Sequence, residues 1–338
     1  MEIINKYLQL LIRFFPSWYL YGFSVAFWSL IFPFHHLLPM FKAYLGAKKH
    51  KAILHYLLGH YNNVIERFVN KNSEVISSID AKSTIWACWW DGYEAMPPIV
   101  KICYNSILSH AGSHPVQLIS KHNFGDFVSI PKYIMKKLET GVITITSFSD
   151  ILRANLLHDH GGIWMDVTIF VTKDISFKDM PFFTLKAPAR SASVSLALFA
   201  GASNSLACIN DNKNLQISRW SSFLLAGTKH SLAFGFIREI YYAYWKDHDD
   251  QIDYMLIDYI IALAYDYIPI FKELVDNVPC SSIGKFDMEK NLNVEFSEDF
   301  FSKYRSVSFH KLTWKKKFCI YTAKGKQTIY GYLLGRNK

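Results

Sequence analysis

At 338 residues, 51% hydrophobic, 16% aromatic and only 19% charged, the chain is too apolar for intrinsic disorder and long enough for a large catalytic domain with an appendage. Its formal net charge of +9 suits an anionic partner, a diphosphate substrate or an acidic membrane surface; no nucleic-acid-binding module or clustered basic helix accompanies it, so no nucleic-acid partner is expected. The five cysteines, Cys88, Cys103, Cys208, Cys280 and Cys319, are scattered and never form C-x-x-C, which speaks against a disulfide framework or zinc site and for reduced thiols in a cytoplasmic catalytic part.

Residues 1–80 read as a hydrophobic and amphipathic helical segment that associates with a membrane. From Phe14 to Phe41 there is no Asp, Glu, Lys or Arg, and Trp, Phe and Tyr are dense. That length suffices to span a bilayer, but Pro16, Pro33, His35 and His36 interrupt it, so a monotopic or re-entrant anchor competes with a span, and a buried core helix with both. Lys42, Lys48, Lys49 and Lys51 follow the run, while only Lys6 and Arg13 precede it, which places the downstream domain at the cytoplasmic face of the cell membrane. Ile53, Leu57, Tyr61, Val64 and Phe68 then recur at helical spacing along an amphipathic connector.

Residues 81–175 alternate strands and helices. Thr84–Trp90 is an apolar strand, Pro97 and Pro98 open a helix that stops near Gly112, and Pro115–Ser120 is a short strand. Pro131 starts a helix that Gly141 ends, and Val142–Thr146 reads as a further strand. Ser149 is the expected N-cap of the next helix, with Asp150 in its first turn and Arg153 three residues on; Gly161 and Gly162 end it. From Ile163 the period is two, placing Trp164, Asp166, Thr168 and Phe170 on one strand face. The order β-α-β-α-β-α-β predicts a largely parallel sheet with ligands at the carboxyl ends of its strands, where Trp89, Trp90, Ser149, Asp150 and Asp166 fall. Taken alone, Asp150 and Arg153 are an ordinary exposed helix pair, whereas a carboxylate on an apolar strand, as Asp166 is, must be paired or metal-bound. His158, Asp159 and His160 sit in a last helical turn and read as structural.

Residues 176–338 are less regular. Ser191–Ser203 reads as a small-residue strand walling the site, and Leu224–Trp245 and Tyr254–Asp276 read as helices, the second carrying Asp258 on one face. The basic run from His310 to Lys317, HKLTWKKK, lies near the end of the chain.

The order S-D-x-x-R (Ser149 to Arg153) and G-G-I-W-x-D-x-T (Gly161 to Thr168), with 16 positions from Asp150 to Asp166, resembles the site of GT-A glycosyltransferases that carry a DXD sugar-binding region. The nearest branch is the capsular polysaccharide synthesis proteins; initiating α-1,6-mannosyltransferases and glucosylating toxins look like more distant relatives. The resemblance covers residues 84–175 strongly and the second half loosely. It implies an α/β fold, a GT-A type Rossmann-like mixed sheet with flanking helices, over residues 81–338, with 81–175 binding the nucleotide sugar and 176–338 the acceptor. It also implies transfer of a hexose, with retention, from a nucleotide-sugar donor to a capsular or surface polysaccharide or lipid-linked glycan. A non-catalytic sugar-binding or assembly subunit is the competing reading.

By the same resemblance Asp166 anchors a divalent cation, Mn²⁺ or Mg²⁺, that neutralises the departing diphosphate, with Thr168 at the usual place of a second acid and His310 as an additional ligand. Asp150 and Arg153 act with Asp166 in catalysis and grip sugar hydroxyls and diphosphate beside Ser149. Trp89, with Trp90 behind it, stacks on the base. Asp258 positions donor or acceptor. Lys311 and Trp314, in the family-like K-L-x-W-K element, fold over the diphosphate.

Overall fold

A computed structural model describes residues 2–69, 78–80, 82–177, 179–189, 208–210, 216–279 and 284–336. The apolar runs expected as strands pair where their side chains are buried. Strands β1 (Ile85–Cys88), β2 (Val116–Ile119) and β3 (Gly162–Met165) are parallel, with β1 in the middle. β3 continues antiparallel to Leu224–Gly227, which pairs antiparallel with Phe182–Thr184, so the sheet is mixed. Numbering in chain order, β4 is Ile169–Val171, β5 Phe182–Thr184, β6 Ala187–Ala189, β7 Cys208–Asn210, β8 Gln216–Ser218, β9 Leu224–Gly227 and β10 Phe309–Lys311. The five-stranded order is β2-β1-β3-β9-β5; β10 pairs with β4, and β6, β8 and β7 form a small antiparallel sheet.

The helices are α1 (Glu2–Tyr21), α2 (Phe23–Ile31), α3 (Lys42–Val69), α4 (Pro98–Ser109), α5 (Lys132–Glu139), α6 (Ile145–His160), α7 (Leu232–Asp247), α8 (Leu256–Tyr267), α9 (Pro269–Asn277) and, after two short turns of helix, α10 (Ile329–Arg336). α3 carries the expected apolar stripe: Ile53, Leu57, Tyr61, Val64 and Phe68 are all buried, in contact with α7 and α8 and within the same core as the sheet. A second, smaller core holds α4 against α10 and Leu312. His158, Asp159 and His160 are structural as expected: Arg238 of α7 donates to the Asp159 carboxylate at 2.8 Å, and His160 Nε2 lies 2.7 Å from the Phe127 carbonyl.

Four sequence readings change. Val142–Thr146 forms no strand, because the Thr144 hydroxyl accepts from Ser147 N at 3.1 Å and caps α6 one turn before Ser149. The run from Ile163 is not continuous: Ile169 N donates to the Asp166 carbonyl at 2.9 Å, and this turn sends β3 and β4 into different sheets. Leu224–Gly227 is strand instead of helix; four consecutive buried apolar residues carry no period to decide between the two. The stretch from Tyr254 to Asp276 breaks at Ile268, which the following Pro269 holds out of the helical region at φ −110°, ψ 99°. The expected Ser191–Ser203 strand lies outside the described residues.

At the N-terminus, no helix among the described residues is long and apolar enough to cross a membrane. Gly22 (φ 83°) separates α1 from α2, and 3₁₀ turns at Phe32–His36 and Pro39–Phe41 divide the rest, so the spanning alternative is not supported. Tyr21, at the end of α1, is buried and donates to the Asp250 carbonyl at 2.7 Å, whereas Phe15, Tyr19 and Met40 are exposed to 69%, 90% and 79%.

Gly162 is where α6 passes into the central strand. Its φ of 97° is one an L side chain rarely adopts, and a Cβ there would overlap the Thr84 carbonyl oxygen of the neighbouring backbone. Gly162→Ala should lower unfolding free energy by at least about 2 kcal/mol in urea denaturation. An unchanged midpoint would show that the close approach is not maintained in solution.

Candidate functional site

β1 and β3 end on the same side of the sheet, with Trp89 and Trp90 following one and Asp166 the other. A cavity of about 830 Å³ opens there, as expected for the carboxyl ends of parallel strands. Its lining includes Trp89, Trp90, Ser149, Asp150, Arg153, Asp166, Thr168, Asp258, Lys311 and Trp314. Residues from both halves of the chain, up to 225 positions apart (Trp89 to Trp314), therefore meet.

The charged centre is built on α6. Because that helix starts at Ile145, Ser149 is not its N-cap; its hydroxyl donates to the Thr146 carbonyl at 2.6 Å while it lines the cavity. Asp150 lies beyond the first turn and is buried, so the expected dipole role gives way to an ion pair: Arg153 Nη1 is 3.2 Å from Asp150 Oδ1. The exposed-pair alternative does not hold, since these side chains are only 6% and 10% exposed. Arg153 also donates from Nη1 to the Ser222 carbonyl at 2.6 Å and from Nη2 to Asp166 Oδ1 at 3.3 Å, with its guanidinium 4.8 Å over the Trp164 ring. The Trp164 indole donates to the same Asp166 oxygen at 2.9 Å.

The other Asp166 oxygen faces Lys311. β10 lies antiparallel to β4, and strand alternation turns Lys311 toward the cavity and His310 away from it. Lys311 Nζ donates to Asp166 Oδ2 and to Thr168 Oγ1, each at 2.6 Å. The turn from Asp166 to Thr168 thus aims carboxylate and hydroxyl at one ammonium. Burial alone would raise the Asp166 carboxyl, but the Lys311 ammonium and Arg153 guanidinium outweigh it and hold it below its ordinary value.

His310 does not join the site. It is fully buried, its Nε2 lies 2.8 Å from the Tyr304 carbonyl, and burial lowers its pKa; it cannot reach a cation beside Asp166 without dismantling β10. Among the described residues no group of three or more His, Cys, Asp or Glu side chains converges, so a cation here would rest on Asp166 with substrate phosphates and water. Asp166 already carries Lys311 on one oxygen and Arg153 on the other, and Thr168 is held by the same ammonium. The residues present do not fit a resident Mn²⁺ or Mg²⁺.

The aromatic wall stands at the mouth. Trp89 and Trp314 meet edge to face with centroids 5.8 Å apart, and Trp314 is 48% exposed, a surface on which a planar ring can lie. Trp90 lines the cavity but packs against Phe124 and Phe148 at 5.4 and 5.3 Å, a mainly supporting position. On the opposite wall Asp258 is fully buried; the Trp220 indole donates to its Oδ1 at 3.1 Å, and its Oδ2 has no hydrogen-bond partner among the described residues. Burial, aided by nearby Asp150, pushes the Asp258 carboxyl up to about 7, and burial likewise pushes Asp150 up to about 6 against the pull of Arg153.

Sequence reasoning missed several contributors. Trp220, Ser222 and Phe223 reach the site through an indole, a carbonyl and a ring, and the segment W-S-S-F carries no period or motif that marks it. Lys285, buried, donates to Ser221 Oγ at 2.6 Å behind the Phe223 ring. Tyr254 lies in the DYMLIDY run, where an aromatic beside an acid was the available signal.

Asp258 and Asp150 hold their protons more tightly in the folded than in the unfolded chain, so their effect on stability is unfavourable once pH rises above the unfolded carboxyl value. Stability should fall across about pH 4 to 7, by up to ~1.4 kcal/mol per pH unit for each carboxyl fully linked. Asp166 acts oppositely: its contribution is present at neutral pH and lost as pH falls through its lowered value. Thermal unfolding from pH 5 to 8 should show a declining midpoint that Asp258→Asn flattens. Parallel profiles would remove Asp258 as the source.

No curated protein matches the chain. A family model described as capsular polysaccharide synthesis protein matches residues 40–333, which takes in α3, the whole cavity and most of α10, and reaches further toward the N-terminus than the motifs alone indicate. The chain belongs to the capsular polysaccharide synthesis protein family, and its role lies in polysaccharide biosynthesis.

Proposed function

We propose that the protein is a GT-A type glycosyltransferase that moves a hexose from a nucleoside diphosphate sugar to a capsular or surface polysaccharide or a lipid-linked glycan, with retention at the transferred carbon. The observation that carries this reading is the meeting, at the carboxyl ends of β1 and β3, of an aromatic wall, a buried Asp150–Arg153–Asp166 network and a lysine-rich rim. Each part matches a portion of such a donor. Trp89 and Trp314 suit the flat base. Lys311 and Lys315 set positive charge at the place of the diphosphate, which grows more favourable as the leaving group gains charge; Lys316 beside them is paired with Glu289. Asp150 and Arg153 line the cavity where sugar hydroxyls would be held.

A panel of nucleotide sugars should therefore include a donor that the purified full chain hydrolyses slowly and transfers to an added glycan. Asp166→Ala should lower that turnover by about 10²- to 10³-fold. Full activity in the variant would remove Asp166 from the reaction. Donor binding with neither hydrolysis nor transfer across the panel would favour the assembly-subunit alternative.

The site works at the cytoplasmic face of a membrane that α1 and the following turns touch without crossing. Leu11, Ile12, Phe15, Trp18 and Tyr19 are exposed on α1, and Phe34, Leu37, Leu38 and Met40 beyond it, with Arg13, Lys48 and Lys51 nearby in sequence for anionic headgroups. The full chain should cosediment with vesicles containing phosphatidylglycerol, and Phe15→Glu with Tyr19→Ser should weaken that binding about tenfold. Equal binding by wild type and variant would place the contact elsewhere.

A further inference from the structure

Three features of the charged centre go beyond holding a donor. Thr168, not a second acid, follows Asp166; the neighbouring His310 is buried on the far side of β10; and an ammonium occupies the position between the two oxygens. We infer that Lys311 takes the part of a divalent cation here, so that the nucleotide sugar is bound and its diphosphate released without a metal ion.

The argument rests on the nucleotide-sugar reading and on the valence of Lys311. An ammonium has three N–H groups. Two point at Asp166 Oδ2 and Thr168 Oγ1, 2.6 Å each, which fixes the nitrogen at the cavity edge and leaves one donor for a phosphate oxygen. The Phe223 ring, its centroid 4.9 Å from Nζ, adds a cation–π contact that helps hold the ammonium in place. Lys315 lines the same rim and adds positive charge beside Lys311, while the neighbouring Lys316 is paired with Glu289 at 2.6 Å. A divalent ion at Asp166 would have to displace Lys311 and face Arg153, which already holds the other oxygen.

In the transfer step the bond between the sugar carbon and the β-phosphate oxygen breaks, and its electron pair stays on that oxygen. The acceptor hydroxyl oxygen forms the new bond to the carbon, and its proton leaves with the released diphosphate. Lys311 meets the charge that grows on the departing oxygen.

The test uses full-length protein freed of metal with EDTA, UDP and GDP as probes in titration calorimetry, and a productive donor from the panel for turnover. Chelation should change diphosphate affinity and turnover by less than about twofold. Lys311→Met should weaken diphosphate binding about tenfold and slow turnover about a hundredfold, with Lys311→Arg recovering part of both. Loss of binding or turnover on chelation, restored by Mn²⁺, overturns the inference while leaving the donor reading standing. If neither UDP nor GDP binds with or without Mn²⁺, the donor reading itself falls and this inference with it. The wild-type arm needs no substitution, so a poorly folded variant does not decide the outcome.

Discussion

A guanidinium buried between two carboxylates sets the conditions for everything around it. Arg153 is 5% exposed, so its charge is tolerable only because Asp150 and Asp166 flank it, the Ser222 carbonyl accepts from it and Trp164 stacks beneath it. These partners come from α6, from the end of β3 and from the segment before β9. Removing Asp150 would leave the Arg153 charge short of a buried partner, a penalty of about 3–5 kcal/mol for a typical buried pair, whereas Asp166, at the cavity, is part-exposed. The three elements are therefore held in register by the same contacts that shape the cavity floor. A variant at Asp166 alters support as well as chemistry, so activity loss there has meaning only beside a measured unfolding transition.

A second layer of charge closes on the first from the far end of the chain. Lys311 neutralises the Asp166 oxygen that Arg153 leaves open, although the two residues are 145 positions apart. The backbone enforces this: Lys311 pairs with Ile169, Leu312 N donates to the Thr168 carbonyl at 2.9 Å, and Lys311 N donates to the Lys285 carbonyl at 2.7 Å. The lysine cannot drift without breaking a strand. Two cations against Asp166 keep it ionised, while burial and the nearby Asp150 push the fully buried Asp258 to about 7 despite the pull of Trp220 and Arg153. One cavity thus contains an acid held below the ordinary carboxylate range and an acid raised to about 7, a difference that environment alone creates.

The sequence made the parts of this site legible and their connections much less so. Asp150, Arg153 and Asp166 stand out because a Gly-Gly stop joins a helix to an apolar strand, and the same pattern locates β3. The rest depends on long-range pairing. Val142–Thr146 looks like a strand by β-branched content, yet Thr144 spends its hydroxyl on a cap and the helix begins there. Leu224–Gly227 looks like the start of a helix because buried strands show no alternation; only pairing with β3 and β5 reveals it. His310 and Lys311 are adjacent letters with equal claims on the site, and the strand pleat alone assigns one to the core and the other to the cavity. Trp220 and Phe223 carry no local signal at all, since their importance lies in a buried carboxylate and an ammonium supplied by other segments.

The N-terminal helices are tied to one particular wall of the cavity. Lys49 pairs with Asp253, His50 Nδ1 lies 2.7 Å from the Tyr259 hydroxyl, and the Tyr21 and Tyr244 hydroxyls are 3.0 Å apart. Asp253 in turn accepts from Met255 N at 2.9 Å, and Tyr254, Met255, Ile257 and Asp258 line the cavity. The wall that carries Asp258 is thus braced by α3, while Tyr21 ties helix α1, which exposes Phe15, Trp18 and Tyr19, to Tyr244. The charged rim is built instead from β10, the segment that follows it and the turn after β3. The two walls are thus anchored to different parts of the chain. A disturbance of the N-terminal helices would then reach the Asp258 wall, through Lys49 and His50, before it reached the charged rim.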